Sequence, residues 1–186
     1  MRKIIIMFFV CSCCCFGQQG KWTGASYSSS GPSYRGNVAL SGLVVLNSEK
    51  HNEKHDVELS TTHGVQFNSY FFLGLGYGRL FVEENFVAYA DAKINFLSAK
   101  NRSTVPFVDV RIGTTKEGLM YGVTGGVTLL SPNKKTGWVF YGGIQVMPYE
   151  DYYYSLDSYY PDSWNVGYFK LGVAFEFSLS ASGLKR

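Results

Sequence analysis

Charged residues recur at even spacing along this chain: Asp91 and Lys93, Asp109 and Arg111, Lys170 and Glu176. In extended backbone, even spacing puts each pair on one face of its strand. Two chemistries fit carboxylates and cations that share a face. They can line a polar channel or proton path, or they can pair as salt bridges and fill a narrow interior. A small closed barrel has room for side chains and none for a pore, so the structural plug is the preferred reading.

The three histidines are the other candidates. His51 and His55 sit four apart within a near-repeat, Glu49-Lys50-His51-Asn52 then Glu53-Lys54-His55-Asp56. On a helical turn they could share a metal. No helix is predicted there, so a solvated charged loop is preferred and no metal or cofactor is expected. His63 falls on an otherwise apolar strand face, and a bulge that turns it inward is the expected explanation. As a catalytic base it would need a nucleophile within hydrogen-bond reach; Ser60 is near in sequence but nothing marks it. The segment Tyr149–Trp164 holds Tyr149, Tyr152, Tyr153, Tyr154, Tyr159, Tyr160 and Trp164 together with acids and no base. It reads as a long loop, and tyrosine rings suit a contact surface because they add area at low entropic cost.

Apolar residues recur at every second position from Tyr34 onward, which is the period of a strand and not of a helix. Eight strands follow, at about Tyr34–Leu46, Val57–Phe67, Phe71–Phe81, Phe86–Phe96, Pro106–Gly113, Leu119–Leu129, Trp138–Met147 and Asn165–Phe177. Alternation alone does not say whether the apolar face meets a core or lipid, and a soluble lipocalin-like barrel shares the period. Three features favour lipid. The polar face is small, with Gly74, Gly76, Gly78, Gly122, Gly126, Gly172 and Ala174, which makes room inside a narrow barrel. The same face carries mid-strand charges of both signs. Aromatics crowd the strand ends: Phe67, Phe71, Phe81, Phe86, Phe96, Trp138 and Phe177, as in interfacial girdles.

The connections sort by charge. Asn47–Asp56, Val82–Asn85, Thr114–Gly118 and Pro148–Trp164 hold ten acids against Lys50, Lys54 and Lys116. The alternate turns hold Lys100, Arg102, Lys134 and Lys135 and no acid. Two ends facing different compartments would be separated in this way, with the acidic end outward if the N-terminus is periplasmic.

Met1, Arg2 and Lys3 precede an apolar run, Ile4–Phe16, that reads as a secretory signal peptide cut after Gly17. A rival reading attaches lipid at Cys13, because Val10-Cys11-Ser12-Cys13 resembles a lipid-attachment box. All four cysteines lie in this leader, so the mature chain has neither a disulfide framework nor a cysteine metal site. The chain of 186 residues carries a net charge of +3, and losing Arg2 and Lys3 leaves fifteen bases against fourteen acids, no nucleic-acid footprint. Residues 1–17 are thus a leader, 18–33 a flexible polar lead, 34–177 the barrel and 178–186 a tail.

The run Thr61-Thr62-His63-Gly64-Val65-Gln66-Phe67-Asn68-Ser69-Tyr70-Phe71-Phe72-Leu73-Gly74-Leu75-Gly76 resembles the small outer-membrane protein β-barrel family. So do Pro106-Phe107-Val108-Asp109-Val110-Arg111-Ile112-Gly113 and Phe169-Lys170-Leu171-Gly172-Val173-Ala174-Phe175-Glu176-Phe177. The resemblance spans Tyr34 to Phe177 and implies an all-β, eight-stranded, antiparallel up-and-down transmembrane barrel. The expected role is structural or adhesive, in the outer membrane of a Gram-negative bacterium and without catalysis. The expected partners are outer-membrane lipids and lipopolysaccharide, and an extracellular protein or glycan at the tyrosines. The chain is expected to be monomeric. An outer-membrane lipid-modifying enzyme and a soluble secreted binder of an apolar ligand are the alternatives.

Overall fold

A computed structural model describes residues 22–23, 32–46, 54–98, 102–155 and 158–181. The elements are β1 (Trp22–Thr23), β2 (Ser33–Val45), β3 (Asp56–Gln66), β4 (Phe71–Leu80), β5 (Phe86–Asn95), β6 (Thr104–Thr114), β7 (Leu119–Leu130), β8 (Thr136–Ser155) and β9 (Ser158–Ala181). Each of β2 to β9 pairs antiparallel with the next, and β9 also pairs with β2, from Val45↔Tyr168 to Tyr34↔Leu179. The sheet therefore closes into an eight-stranded meander barrel with no free edge along its wall. Beside it, β1 pairs with the end of β9, Trp22 with Ala181 and Thr23 with Ser180.

The two-residue period fixes which side chains go where. Val38, Leu40 and Val44 of β2, Leu73, Leu75 and Tyr77 of β4 and Val123 of β7 all point out and stay exposed, Leu75 by 71%. The alternate positions are buried, among them Ser41, Glu58, Asp91, Arg111, Lys170 and Glu176. This is the inverse of a soluble barrel. An exposed apolar belt of this extent is costly in water and favourable in hydrocarbon, so the wall is a lipid-facing one. The end aromatics follow suit: Phe67, Phe71, Phe81, Phe86, Phe96 and Trp138 are all exposed.

Short connections hold the register. At one end Asn68 Oδ1 accepts the backbone N–H groups of Tyr70 and Phe71 at 2.8 and 2.9 Å. The turn before β8 closes from Lys134 N–H to Ser131 C=O at 2.8 Å, with Lys134 in the left-handed region. At the other end the Asp56 carboxylate accepts from the N–H groups of Phe81, Val82 and Glu83 at 2.9 to 3.0 Å. Read as a rim charge, Asp56 is in fact the clamp of the β4–β5 loop.

Several boundaries differ from the sequence reading. Tyr149–Trp164 is not a free loop: β8 and β9 stay paired through it, from Tyr149↔Trp164 to Ser155↔Ser158. Tyrosine is a good strand former, and a two-strand ribbon keeps its backbone groups paired where a long loop would not. The tail after Phe177 begins as strand, with Ser178 opposite Arg35. The polar lead contributes β1. The leader, His51 and the peptide bond after Gly17 lie outside the described residues.

Candidate functional site in the lumen and at the rim

The interior is built as tiers of charge. Near the end formed by Ser33 and Gln66, Glu176 Oε1 meets Arg35 Nη1 at 3.3 Å and Glu176 Oε2 meets Lys93 Nζ at 3.0 Å. Lys93 also lies 4.2 Å from the centre of the Phe107 ring. In the next tier Arg111 Nε meets Asp109 Oδ2 at 3.1 Å, and Thr124 donates to the same oxygen at 3.3 Å. The register sets Asp91 opposite Arg111 and Lys93 opposite Asp109. The Arg111 guanidinium stands 5.0 Å from the Tyr89 ring centre and 5.7 Å from that of Tyr141. In the last tier Lys170 Nζ donates to Glu58 Oε2 at 2.7 Å and to Gln145 Oε1 at 2.8 Å, and both ionic side chains are fully buried.

All six residues expected in the lumen are there, and the structure brings them into one column. Sequence reading missed Arg35 and Glu58. They complete the balance, with Arg35, Lys93, Arg111 and Lys170 against Glu58, Asp91, Asp109 and Glu176. The signal was legible: Arg35 is inward by the same even spacing as Ala39 and Ser41, and Glu58 by that of Ser60 and Thr62. Both lie near the ends of the predicted strands, away from the mid-strand charges that mark the column.

Glycine makes the space for these groups. A Cβ on Gly76 would lie 2.2 Å from the Tyr89 ring, and one on Gly172 would lie 2.4 Å from the Tyr141 ring. The rings that flank Arg111 are thus laid flat over bare backbone on neighbouring strands. Tyr89 is held there by a 3.0 Å hydrogen bond between its hydroxyl and that of Thr62.

An apolar layer closes the column at the acidic end: Leu43, Leu80, Val87, Met120, Met147, Val166 and Tyr168, with Tyr149 and Trp164 packed against it. The two outermost rings are 5.1 Å apart. The Tyr168 hydroxyl donates to Glu83 at 3.1 Å. Burial pushes the Glu83 carboxyl up to about 7, and the nearby charges of Asp56 and Glu117 push the same way against the Tyr168 bond.

His63 is not turned inward. It sits in an unbroken ladder, opposite Gly36 and Leu75, on the outer wall. Its polarity is met by the wall itself: Nδ1 is 2.5 Å from the Tyr34 hydroxyl and Nε2 is 3.0 Å from Thr61 Oγ1, which donates to Asn37 C=O at 2.9 Å. Two hydroxyls supply what a bulge would have supplied. Ser60, by contrast, points into the barrel and away from His63. His55 Nδ1 accepts the Val45 N–H at 3.2 Å.

No family model and no curated protein sequence matches this chain. Solved structures do. Neisserial surface protein A superposes with a TM-score of 0.54 at 14% identity, over 80% of this chain and 97% of that one. The N-terminal β-barrel domain of Pseudomonas aeruginosa OprF gives 0.53 at 14% identity, over 80% of this chain and 100% of that one. A de novo designed transmembrane β-barrel gives 0.50 at 12% identity, over 80% of this chain and 98% of that one. At such identity the likeness is one of fold. The chain has the fold of the small eight-stranded outer-membrane barrels.

Proposed function

We propose that this chain is an outer-membrane barrel of a Gram-negative cell, acting as a monomer without catalysis, whose interior is structural and whose β8–β9 hairpin makes surface contacts. The observation that carries the reading is the spent interior. Among the described residues, most of its charges stand paired in tiers and its acidic end is lined by packed apolar side chains, which supports a structural lumen over a path or a substrate cavity. What is left for contact is the wall and the hairpin. The wall takes membrane lipid, with lipopolysaccharide around the outward end. The hairpin carries Tyr149, Tyr152, Tyr153, Tyr154, Tyr159, Tyr160 and Trp164 and suits an extracellular protein or glycan.

Orientation is the first test. In intact cells a membrane-impermeant thiol reagent is expected to label Ser158→Cys in the hairpin and to leave Asn133→Cys, in the turn before β8, untouched. The reverse pattern would invert the molecule. The contact role is tested next by replacing Tyr152, Tyr153, Tyr154, Tyr159 and Tyr160 with serine. Cell-surface binding should fall; unchanged binding with the expected labelling would leave only the structural role.

A further inference from the structure

Among the described residues of the spanning strands, Arg79 is the one charged side chain on the lipid-facing side. It is exposed, one residue before β4 ends at the acidic rim. Across the ladder it stands opposite Leu59 of β3 and Phe86 of β5. Its guanidinium carbon lies 5.5 Å from the centre of the Phe86 ring. The Tyr77 ring, two residues back on the same face, stacks on Phe86 at 5.7 Å. Phe81, two residues on, is exposed as well. Among the described residues no carboxylate lies within ion-pair distance of Arg79, and none hydrogen-bonds to the Tyr77 hydroxyl. Two acids of this end are engaged elsewhere: Asp56 clamps the backbone of Phe81, Val82 and Glu83, and Glu83 accepts from Tyr168.

We propose that Arg79 and the Tyr77 hydroxyl form a site for a phosphate of lipid A, the membrane anchor of lipopolysaccharide. Depth is the first reason. Tyr77, Phe81 and Phe86 surround the guanidinium, and such rings collect at the headgroup level. An arginine facing lipid is costly at mid-membrane and nearly free at that level, where its long stem carries the charge to the phosphates. Chemistry is the second. The Phe86 ring takes one flat side of the guanidinium and leaves its N–H edge free. That edge is a planar fork of donors that fits two phosphate oxygens. The Tyr77 side chain starts about 7 Å away along the strand, close enough for both groups to converge on one phosphate. Charge is the third. The connections at this end hold ten acids against Lys50, Lys54 and Lys116, a rim that repels a dissolved anion. Arg79 lies below the rim on the wall itself, where a phosphate anchored by acyl chains arrives from the lipid side. The choice of lipid A rests on the proposed outward orientation of the acidic end.

The test is native mass spectrometry of the full chain from detergent micelles that hold equal amounts of diphosphoryl and monophosphoryl lipid A, with EDTA present. The two lipids share their acyl chains and differ by one phosphate. The wild type should retain the diphosphoryl form by about fivefold, the ratio equivalent to about 1 kcal/mol for one cation at a membrane surface. Arg79→Gln should bring the ratio near one, and Arg79→Lys, which keeps the charge and loses the fork, should hold part of it. Tyr77→Phe keeps the stacked ring and should lower the ratio without abolishing it. Heat-modifiable migration in detergent gels verifies that each variant is folded. Equal retention by the wild type, or a preference that survives Arg79→Gln, would overturn the proposal. A preference seen only without EDTA would do the same, because divalent ions on the acidic rim would then hold the lipid. Phosphatidylglycerol that competes equally with diphosphoryl lipid A would defeat the choice of lipid A. Failure of the orientation is read separately, as reversed labelling of Ser158→Cys in cells.

Discussion

The pair Glu58–Lys170 shows what single residues cost inside this barrel. Its charges have left water entirely and are repaid by one 2.7 Å bond and by Gln145. Removing one partner strands the other, an effect of about 3–5 kcal/mol in buried pairs. Lys170→Met should therefore lower the urea midpoint of the detergent-solubilised protein sharply. Lys170→Met with Glu58→Leu should restore most of the loss, because neither charge is then stranded. A double variant as unstable as the single one would mean that the pair is needed for more than mutual neutralisation. Glu83 sits outside the spanning strands, in the loop between β4 and β5. Burial first, then Asp56 and Glu117, raise its folded pKa to about 7 from an ordinary 4.5. The folded state thus holds this proton more tightly than the unfolded state does. Its contribution to stability is full below about 4.5 and is lost as pH rises through about 7. Stability measured by urea across that window should fall with pH, and Glu83→Gln should flatten this part of the profile. An unchanged slope in the variant would assign the titration to another group.

At the level of strands, the glycines test how the wall and lumen are fitted together. Gly76→Ala drives a methyl into the Tyr89 ring, and Gly172→Ala does the same to Tyr141. Each should destabilise by about 1–3 kcal/mol, the usual range for overpacking. Gly42, on the outer face of β2, meets nothing within 4 Å, so Gly42→Ala should be near neutral by the same urea assay. Equal effects at the three positions would refute the socket geometry. These elements were largely legible in the sequence, because a period of two residues fixes both the strands and their faces once the outward face is known to be apolar. The glycine face foretold small inward residues, though not which rings would lie on them; that depends on the inter-strand register. His63 misled for a physical reason. Its face was read correctly, but its partner Tyr34 is 29 positions away, so the hydrogen bond that makes an outward imidazole tolerable is invisible locally. The hairpin misled in the opposite sense: its tyrosines and acids look like a loop by composition, while the pairing that extends β8 and β9 is a matter of two distant segments meeting. The apolar cap was missed as well, since Leu80, Met120 and Tyr168 come from separate strands and join only when the sheet closes.

The closed molecule places two barriers in series along one axis. The charge tiers fill the middle, from the Arg35–Glu176–Lys93 group to Glu58–Lys170. Beyond them the apolar layer of Leu43, Leu80, Val87, Met120, Met147, Val166 and Tyr168 closes the acidic end. The two resist ions by different means. In the tiers an ion must break pairs that are already neutral, and eight strands leave little free width. In the apolar layer an ion must shed its water against hydrocarbon, as in a dewetted gate. Barriers in series are limited by the one that remains, so opening either alone should not open the barrel. Purified protein in planar bilayers is therefore expected to show no steady conductance. Lys93→Ala, which thins a tier, should stay closed behind the cap; Met120→Ser with Leu80→Ser, which wets the cap, should stay closed behind the tiers. Combining all three changes is the condition under which current steps should first appear. Steady steps from the wild type would remove the plug reading, and steps from either partial variant would show that only one of the two barriers counts.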